Sequence, residues 1–456
     1  MFWLRLVFIF FLVVINISLA QSNDIALVKE DSLSVKSNSD NSTHDEKIFI
    51  NEIRIIGNNK TKPEIILREL TFSENSFVSY NDLKFNETRV FSLGLFSDVK
   101  FILNKEEDKN ILFILVQESW YIWPIPFIDI ADRDWKKLTY GLHLNIQNLT
   151  GRNENLITGF SLGYDPKFYL RYYNPIINQK HNLLLQIQTL IQKRTNRSLE
   201  AIKVSNNQNY NENYFLLDFL IGKRINQFNT VTGSISYEYL KVTDYFPLRT
   251  VSSTGIDKFF SVQLSYSLDT RDFTAYPKKG TNLNFAYRKA GLGDSEVDFN
   301  IFAFEVKKIY QVVYPIFYFR NYSRILSGPI LPYYSNSFLG YGERLRGYFK
   351  KIYETNSMVF NTVEIRFPLI EKYFLQLQVP LIPEELLRYT LSLDIHTFYD
   401  NALMFNKNDK LSKKKFINGF GFGFSFLVLP YRSINLEFAW NEKLKSEIIL
   451  DLNFPF

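Results

Sequence analysis

From about Trp120 to Phe456 the chain alternates apolar and polar residues in segments of roughly ten, separated by short turns or longer polar loops. The period is clearest near the end. In GFGFGFSFLV, Phe420, Phe422, Phe424 and Phe426 share one face, and Gly419, Gly421, Gly423 and Ser425 share the other. In SINLEFAW, Ile434, Leu436, Phe438 and Trp440 point one way and Asn435 and Glu437 the other. SEIILDLNFPF sets Ile448, Leu450 and Leu452 against Asp451 and Asn453, and LTYGLHLNIQN sets Leu138, Tyr140 and Leu142 against Thr139, His143, Asn145 and Gln147. One such strand also fits a soluble sandwich, so number and closure decide. Segments start near residues 121, 138, 154, 167, 181, 213, 229, 259, 281, 297, 314, 357, 389, 416, 432 and 446. That is sixteen, an even number as in bacterial barrels.

The connections add sidedness. The longest, about 194–212, 242–258, 326–356 and 400–415, join odd strands to even ones. Most even-to-odd connections are short, such as LTGRN and LPY, the asymmetry of an outer-membrane barrel with long outer loops. The stretch IEKYFLQLQVPLIPEELLR after the twelfth strand departs from that asymmetry, and its register is open. A sheet in hydrocarbon must close on itself, because an edge would leave backbone groups unpaired. The expectation is a mainly β protein whose residues 120–456 form a 16-stranded antiparallel transmembrane β-barrel.

Residues 47–119 follow another pattern. KIFINEIRIIGN reads as a strand ending in a turn. TKPEIILREL reads as a short helix with Thr61 as N-cap and Pro63 in its first turn. SYNDLKFNETRVFSLG reads as a second helix, capped by Ser79 and stopped at Gly94, and two strands follow, LFSDVKFILN and NILFILVQES. Ahead of this module, residues 1–20 carry Arg5, an apolar run from Leu6 to Val14 and the exit Ser18-Leu19-Ala20, which together predict a signal peptide. Residues 21–46, rich in Ser, Asn and Asp, predict a disordered linker.

Composition narrows the chemistry. Aromatics make up 17% of the 456 residues, with 43 Phe and 28 Tyr, enough to furnish interfacial girdles. There is no Cys, which excludes disulfides, thiolate metal sites, a thiol nucleophile and a lipid anchor on Cys. The net charge of +6 is dispersed, and the one dense run, Lys410–Lys415, suits a solvated loop better than a nucleic-acid face. Four scattered histidines lack metal-ligand spacing. Gly159–Gly163 fits G-x-S-x-G but lies inside an alternating strand, not at the strand–turn–helix elbow that a hydrolase needs. No enzyme, cofactor or metal is expected.

Certain motifs stand apart. SFLGYGERLRGYFKK (Ser337–Lys351) falls in the connection between strands eleven and twelve and contains Arg346-Gly347-Tyr348. SLDTRDFTAYPKKG carries Asp269, Arg271, Asp272, Pro277 and Gly280, and NLTG, TVEIRFPL and FYDNA stand at Asn148–Gly151, Thr362–Leu369 and Phe398–Ala402. The helix-Gly-Leu-Phe-x-x-Val run at LGLFSDVKF resembles a POTRA domain, placed at 47–119. The R-G-[FY] loop, the D-T-R-D…P-x-x-G turn and the sixteen strands resemble the BamA/TamA superfamily of outer-membrane assembly and translocation proteins. That resemblance implies a loop folded into the lumen, with Arg346 docked on acidic residues of the inner wall. The alternation supplies candidates independently: Asp400 and Glu364 both face inward, and Gly347 gives the chain its freedom to turn.

Pro124 and Pro126 in the first strand and Pro455 in the last, which runs to Phe456, mark a weak seam between first and last strands, because proline donates no ladder hydrogen bond. The alternative reading is that the prolines only shape the entry to the barrel. The resemblance implies insertion or translocation of polypeptides at the outer membrane, with unfolded or extended clients received on a POTRA edge strand in the periplasm. Further partners would be the lipid bilayer and periplasmic or lipoprotein accessory subunits, with no nucleic acid. Two other readings stay open: a dedicated secretion pore for one partner protein, and a structural or adhesive barrel.

Overall fold

The computed structural model describes residues 47–453 apart from 107, 131–134, 206–210, 275, 294–295, 378–387, 412–414 and 430–431. The expected signal peptide and linker, and Pro455 and Phe456, lie outside the described residues.

The N-terminal module begins with β1 (Lys47–Ile50) and β2 (Glu52–Ile56), followed by α1 (Pro63–Leu67) and β3 (Ser76–Ser79). Next come α2 (Tyr80–Phe91), β4 (Phe96–Glu106) and β5 (Lys109–Glu118). KIFINEIRIIGN is thus two strands where one was expected. Asn51 leaves the ladder: its N–H donates to the Asn110 carbonyl at 2.9 Å, and its Oδ1 accepts from the Asn110 N–H at 2.8 Å. β1 pairs antiparallel with β3, a strand the sequence pattern did not announce, while β2 runs parallel to β5 and β5 antiparallel to β4. Ser79 caps α2 in a reciprocal box with Asp82, and the helix buries Leu83 and Val90. Thr61 does not cap α1. That position falls to Lys62, without a side-chain bond, because the Thr61 hydroxyl donates to Glu118 at 2.6 Å and so is spent elsewhere.

The large sheet contains β6 (Ile122–Ile130), β7 (Leu138–Gln147), β8 (Asn155–Gly163), β9 (Lys167–Asn178), β10 (Leu183–Thr195) and β11 (Asn211–Arg224). It continues with β12 (Asn229–Val242), β13 (Ile256–Asp269), β14 (Gly280–Leu292), β15 (Phe299–Gln311) and β16 (Ile316–Ser327). A small hairpin, β17 (Ser337–Leu339) with β18 (Tyr353–Thr355), stands apart. The sheet ends with β19 (Ser357–Gln376), β20 (Arg388–Phe405), β21 (Ile417–Leu429), β22 (Arg432–Asn441) and β23 (Ser446–Asn453). All sixteen strands pair antiparallel with their neighbours in chain order, from β6 at one end to β23 at the other. Each starts within three residues of the position expected from alternation.

Two connections differ from expectation. β19 and β20 extend their hairpin through register shifts at Pro368/Ile370 and Ile370/Tyr373, so much of the anomalous connection after the twelfth strand is itself strand. β20 also continues to Phe405, which shortens the loop expected at 400–415.

Outward faces are apolar, as at Phe420, Phe422 and Phe424, and inward faces are polar. The module sits against the short turns. Asn148 Nδ2 donates to Thr61 Oγ1 at 2.8 Å, and Lys62 N–H donates to the Gly151 carbonyl at 2.8 Å. Ile176 of β9 packs in the same buried apolar cluster as Ile50, Ile66 and Phe96 of the module.

Candidate functional site

The segment between β16 and β19 folds inward, held at its base by the β17–β18 hairpin. Leu339, Leu345 and Tyr348 bury their side chains with Met358, Phe360, Ala402 and Met404. This apolar contact places Arg346 against the wall formed by β19–β22. Its Nε and Nη2 donate to the two oxygens of Asp400, each at 2.7 Å. Its Nη1 donates to Glu437 at 2.9 Å and to Glu364 at 3.2 Å. The guanidinium carbon lies 3.6 Å from the centre of the Phe398 ring. Around this centre Arg366 donates to Glu364 at 2.5 Å, and His396 bridges Glu437 and Ser425 at 3.2 Å each.

Two glycines make the approach possible. Gly347 has φ +90°, and a Cβ there would stand 2.6 Å from the Trp440 carbonyl oxygen. A Cβ on Gly419 would run into the carbonyl oxygen of Arg346 itself. The Tyr348 hydroxyl donates to Glu442 at the β22–β23 end.

Asp400 and Glu364 therefore stand beside Arg346, together with two groups that the sequence reading did not single out as partners, Glu437 and Phe398. The inward pattern of SINLEFAW already pointed Glu437 into the lumen. A second contact runs the other way: Arg320 of β16 donates from two nitrogens to the loop's Glu343, both at 2.7 Å, and from Nε to Glu305 at 2.7 Å. Nothing local in the sequence signals it, because the residues meet only through the folded loop.

The D-T-R-D turn joins β13 to β14 on the side of the module. Arg271 donates to both oxygens of Asp269, at 2.8 and 2.7 Å. Asp272 Oδ1 accepts from the backbone N–H groups of Phe273, Lys278 and Lys279 at 2.9, 3.0 and 3.2 Å. Pro277 is buried, and Gly280 has φ +118° where a Cβ would press on the Arg271 backbone.

This ordered turn meets α2. Phe273 and Phe91 have ring centres 5.6 Å apart, and Arg89 donates to the carbonyls of Asp269 and Gln227 at 3.3 and 3.0 Å. Arg89 also reaches Glu69 at 3.1 Å, while Arg224 holds the same carboxylate bidentately at 2.5 and 2.8 Å. Burial alone would raise the Glu69 carboxyl, but Arg224, Arg89 and Arg68 together hold it below the usual carboxylate range. Arg68, desolvated and next to Arg224, is pushed down to about 10 and stays protonated at neutral pH.

At the seam, backbone parity is informative. Gln147 N–H donates to the Tyr121 carbonyl at 2.8 Å, and the β6–β7 register runs without a shift. Odd residues of β6 thus turn their amides to β7 and even residues turn theirs to the sheet edge. Pro124 and Pro126 are among the even ones, so the edge of β6 lacks two donors. On β23, Asn441 N–H donates to the Lys445 carbonyl at 3.2 Å, which turns Ser446, Ile448, Leu450 and Leu452 to the opposite edge with every N–H present. Phe456 lies outside the described residues.

Known proteins align with both parts. A family model described as the Omp85 superfamily domain matches residues 148–449, and a POTRA model, described as a surface antigen variable number repeat, matches 48–119. Over 55 residues the chain is 44% identical to the outer membrane protein assembly factor BamA of Neisseria meningitidis serogroup B, which is 12% of this chain and 7% of that protein. The chain thus matches only a small part of that relative's length. Its fold is similar to BamA from Haemophilus ducreyi lacking POTRA domains 1–3, at a TM-score of 0.53 and 15% identity, covering 89% of this chain and 83% of the other. It is also similar in fold to CdiB from Escherichia coli, at 0.50 and 9% identity, covering 92% and 91%.

Proposed function

The chain belongs to the Omp85 superfamily, and on that footing we propose that it inserts or translocates polypeptides at the outer membrane, with the POTRA module in the periplasm. The observation that carries the reading is the unequal seam. A strand lying along β6 would face two prolines, and its carbonyls opposite Pro124 and Pro126 would stay unpaired in hydrocarbon, where each such group costs several kcal/mol. The same penalty falls on β23 when the seam closes, so this junction separates more readily than any inner ladder. A freed β23 edge, complete in donors and acceptors, then serves as the template for an arriving strand.

The POTRA sheet, in the order β2-β5-β4, has β4 at one edge, where an extended client adds by backbone pairing. Arg346, with Gly347 and Tyr348, holds the loop against Asp400 and Glu364 and so keeps the β19–β22 wall in register beside the seam. The Asp269–Gly280 turn fixes the module below it. Accessory periplasmic or lipoprotein subunits would bind the remaining POTRA surface.

The test is depletion of the protein followed by quantification of the outer-membrane proteome, with Arg346→Ala as the complementing allele. Loss of many unrelated barrels, unrescued by Arg346→Ala, is the expected result. Normal barrels with loss of a single secreted protein would replace the insertase with a dedicated pore.

A further inference from the structure

β7, β8, β9 and β10 contain no Asp or Glu. The inward faces of β9 and β10 nonetheless carry cations. On β9 the inward positions are Lys167, Tyr169, Arg171 and Tyr173, cation and phenol by turns. Lys167 lies 5.7 Å from the Tyr169 ring centre, and the Tyr169 hydroxyl is held by His143 Nδ1. Most other luminal arginines face a carboxylate: Arg194 reaches Glu212 at 2.8 Å and Arg320 reaches Glu305 at 2.7 Å. Arg171 has none among the described residues, and its Nε is buried without a hydrogen-bond partner there. Arg171 lines a cavity of about 320 Å³ together with Tyr173, Asn145 and Gln186.

From this we infer that the β7–β10 wall binds carboxylates carried on an extended acidic stretch of polypeptide. The guanidinium fork and the amide N–H groups are the donors a carboxylate needs. Spacing selects a polypeptide over a small anion. Lys167 and Arg171 are four strand residues apart, about 13 Å, which a single carboxylate or phosphate cannot bridge. An extended peptide laid along β9 bridges it with two acidic side chains, while its backbone passes over the intervening Tyr169. The assignment rests on the proposed translocation only for how such a segment reaches the lumen; the chemistry of the wall does not depend on it.

The experiment uses the purified full-length protein in detergent and labelled octaglutamate followed by fluorescence anisotropy, with octalysine as control and sodium acetate as competitor. Octaglutamate is expected to bind, and Lys167→Gln/Arg171→Gln to weaken it roughly tenfold or more. Gln186→Glu, which supplies the absent carboxylate from within, is expected to weaken it similarly without deleting either cation. Octalysine should not bind. Acetate displacing the peptide at equal carboxylate concentration would overturn the polypeptide assignment in favour of a small-anion site. Absence of octaglutamate binding, or binding unchanged in both variants while heat-modifiable electrophoresis reports folded barrels, would overturn the inference. Since no cellular cargo enters the titration, its failure is separate from failure of the insertion or translocation reading.

Discussion

The two sides of the barrel lumen are built on opposite principles. The β19–β22 wall gathers Glu364, Asp394, Asp400 and Glu437 in a buried cluster and draws in a loop arginine to meet three of them. The β7–β10 wall presents Lys167 and Arg171 with no acid on its own strands. Acid that would repel itself has an internal counter-charge fixed by geometry, so that wall is structural. Base without one has its counter-charge still to come, so that wall is a surface for something else. Placing both on one barrel separates the part that must not move from the part that must bind.

The largest way to break this contrast is to remove the internal counter-charge. Arg346→Ala takes the bidentate partner from Asp400 and one of two partners each from Glu364 and Glu437, and should cost about 3–5 kcal/mol, read as a fall in the temperature at which the barrel loses heat-modifiable mobility. Arg346→Lys keeps the charge without the fork and should recover only part of it.

Next comes Glu69, which quiets arginines at the periplasmic foot of the cationic side. Its folded carboxyl lies below its ordinary value of 4.5, so its contribution is complete above that pH and is lost as the pH falls through the depressed folded value. Limited proteolysis between module and barrel should therefore accelerate on acidification below 4.5, and Glu69→Gln should be fast already at neutral pH and flat across that range.

A smaller loss, about 1–3 kcal/mol, is expected for Glu343→Gln, which weakens the reverse contact to Arg320. Cysteine pairs across the loop and β16, in a chain with no native cysteine, would report it as slower disulfide formation. The smallest effect sharpens the contrast: Lys167→Gln with Arg171→Gln should change barrel stability by no more than about 0.5 kcal/mol, measured by the same mobility shift.

Much of the scaffold was legible because a strand in a barrel has one apolar face and one polar one. That period alone located the sixteen strand starts to within three residues. It also turned Asp400, Glu364 and Glu437 inward, although distance from Arg346 was needed to make Glu437 a partner. The module was less legible. Its split at Asn51 depends on a bond to Asn110, and the idle cap at Thr61 depends on Glu118, both distant in the chain. The Glu69 cluster and the Arg320–Glu343 contact join residues whose neighbours in sequence say nothing of one another. The cationic wall is a different case. A run of four strands without an acid stands in the sequence, but its meaning waits on knowing that Lys167 and Arg171 share the inner face.

Ile176 belongs to a transmembrane strand and yet is buried with Ile50, Ile66 and Phe96 of the module. The hydrophobic interior of the periplasmic part is thus completed by a residue that arrives only when β9 is in place. Grafting the module onto another barrel would transplant a domain with a gap in its interior, and the seam between the two parts in the gene is not where the protein would come apart.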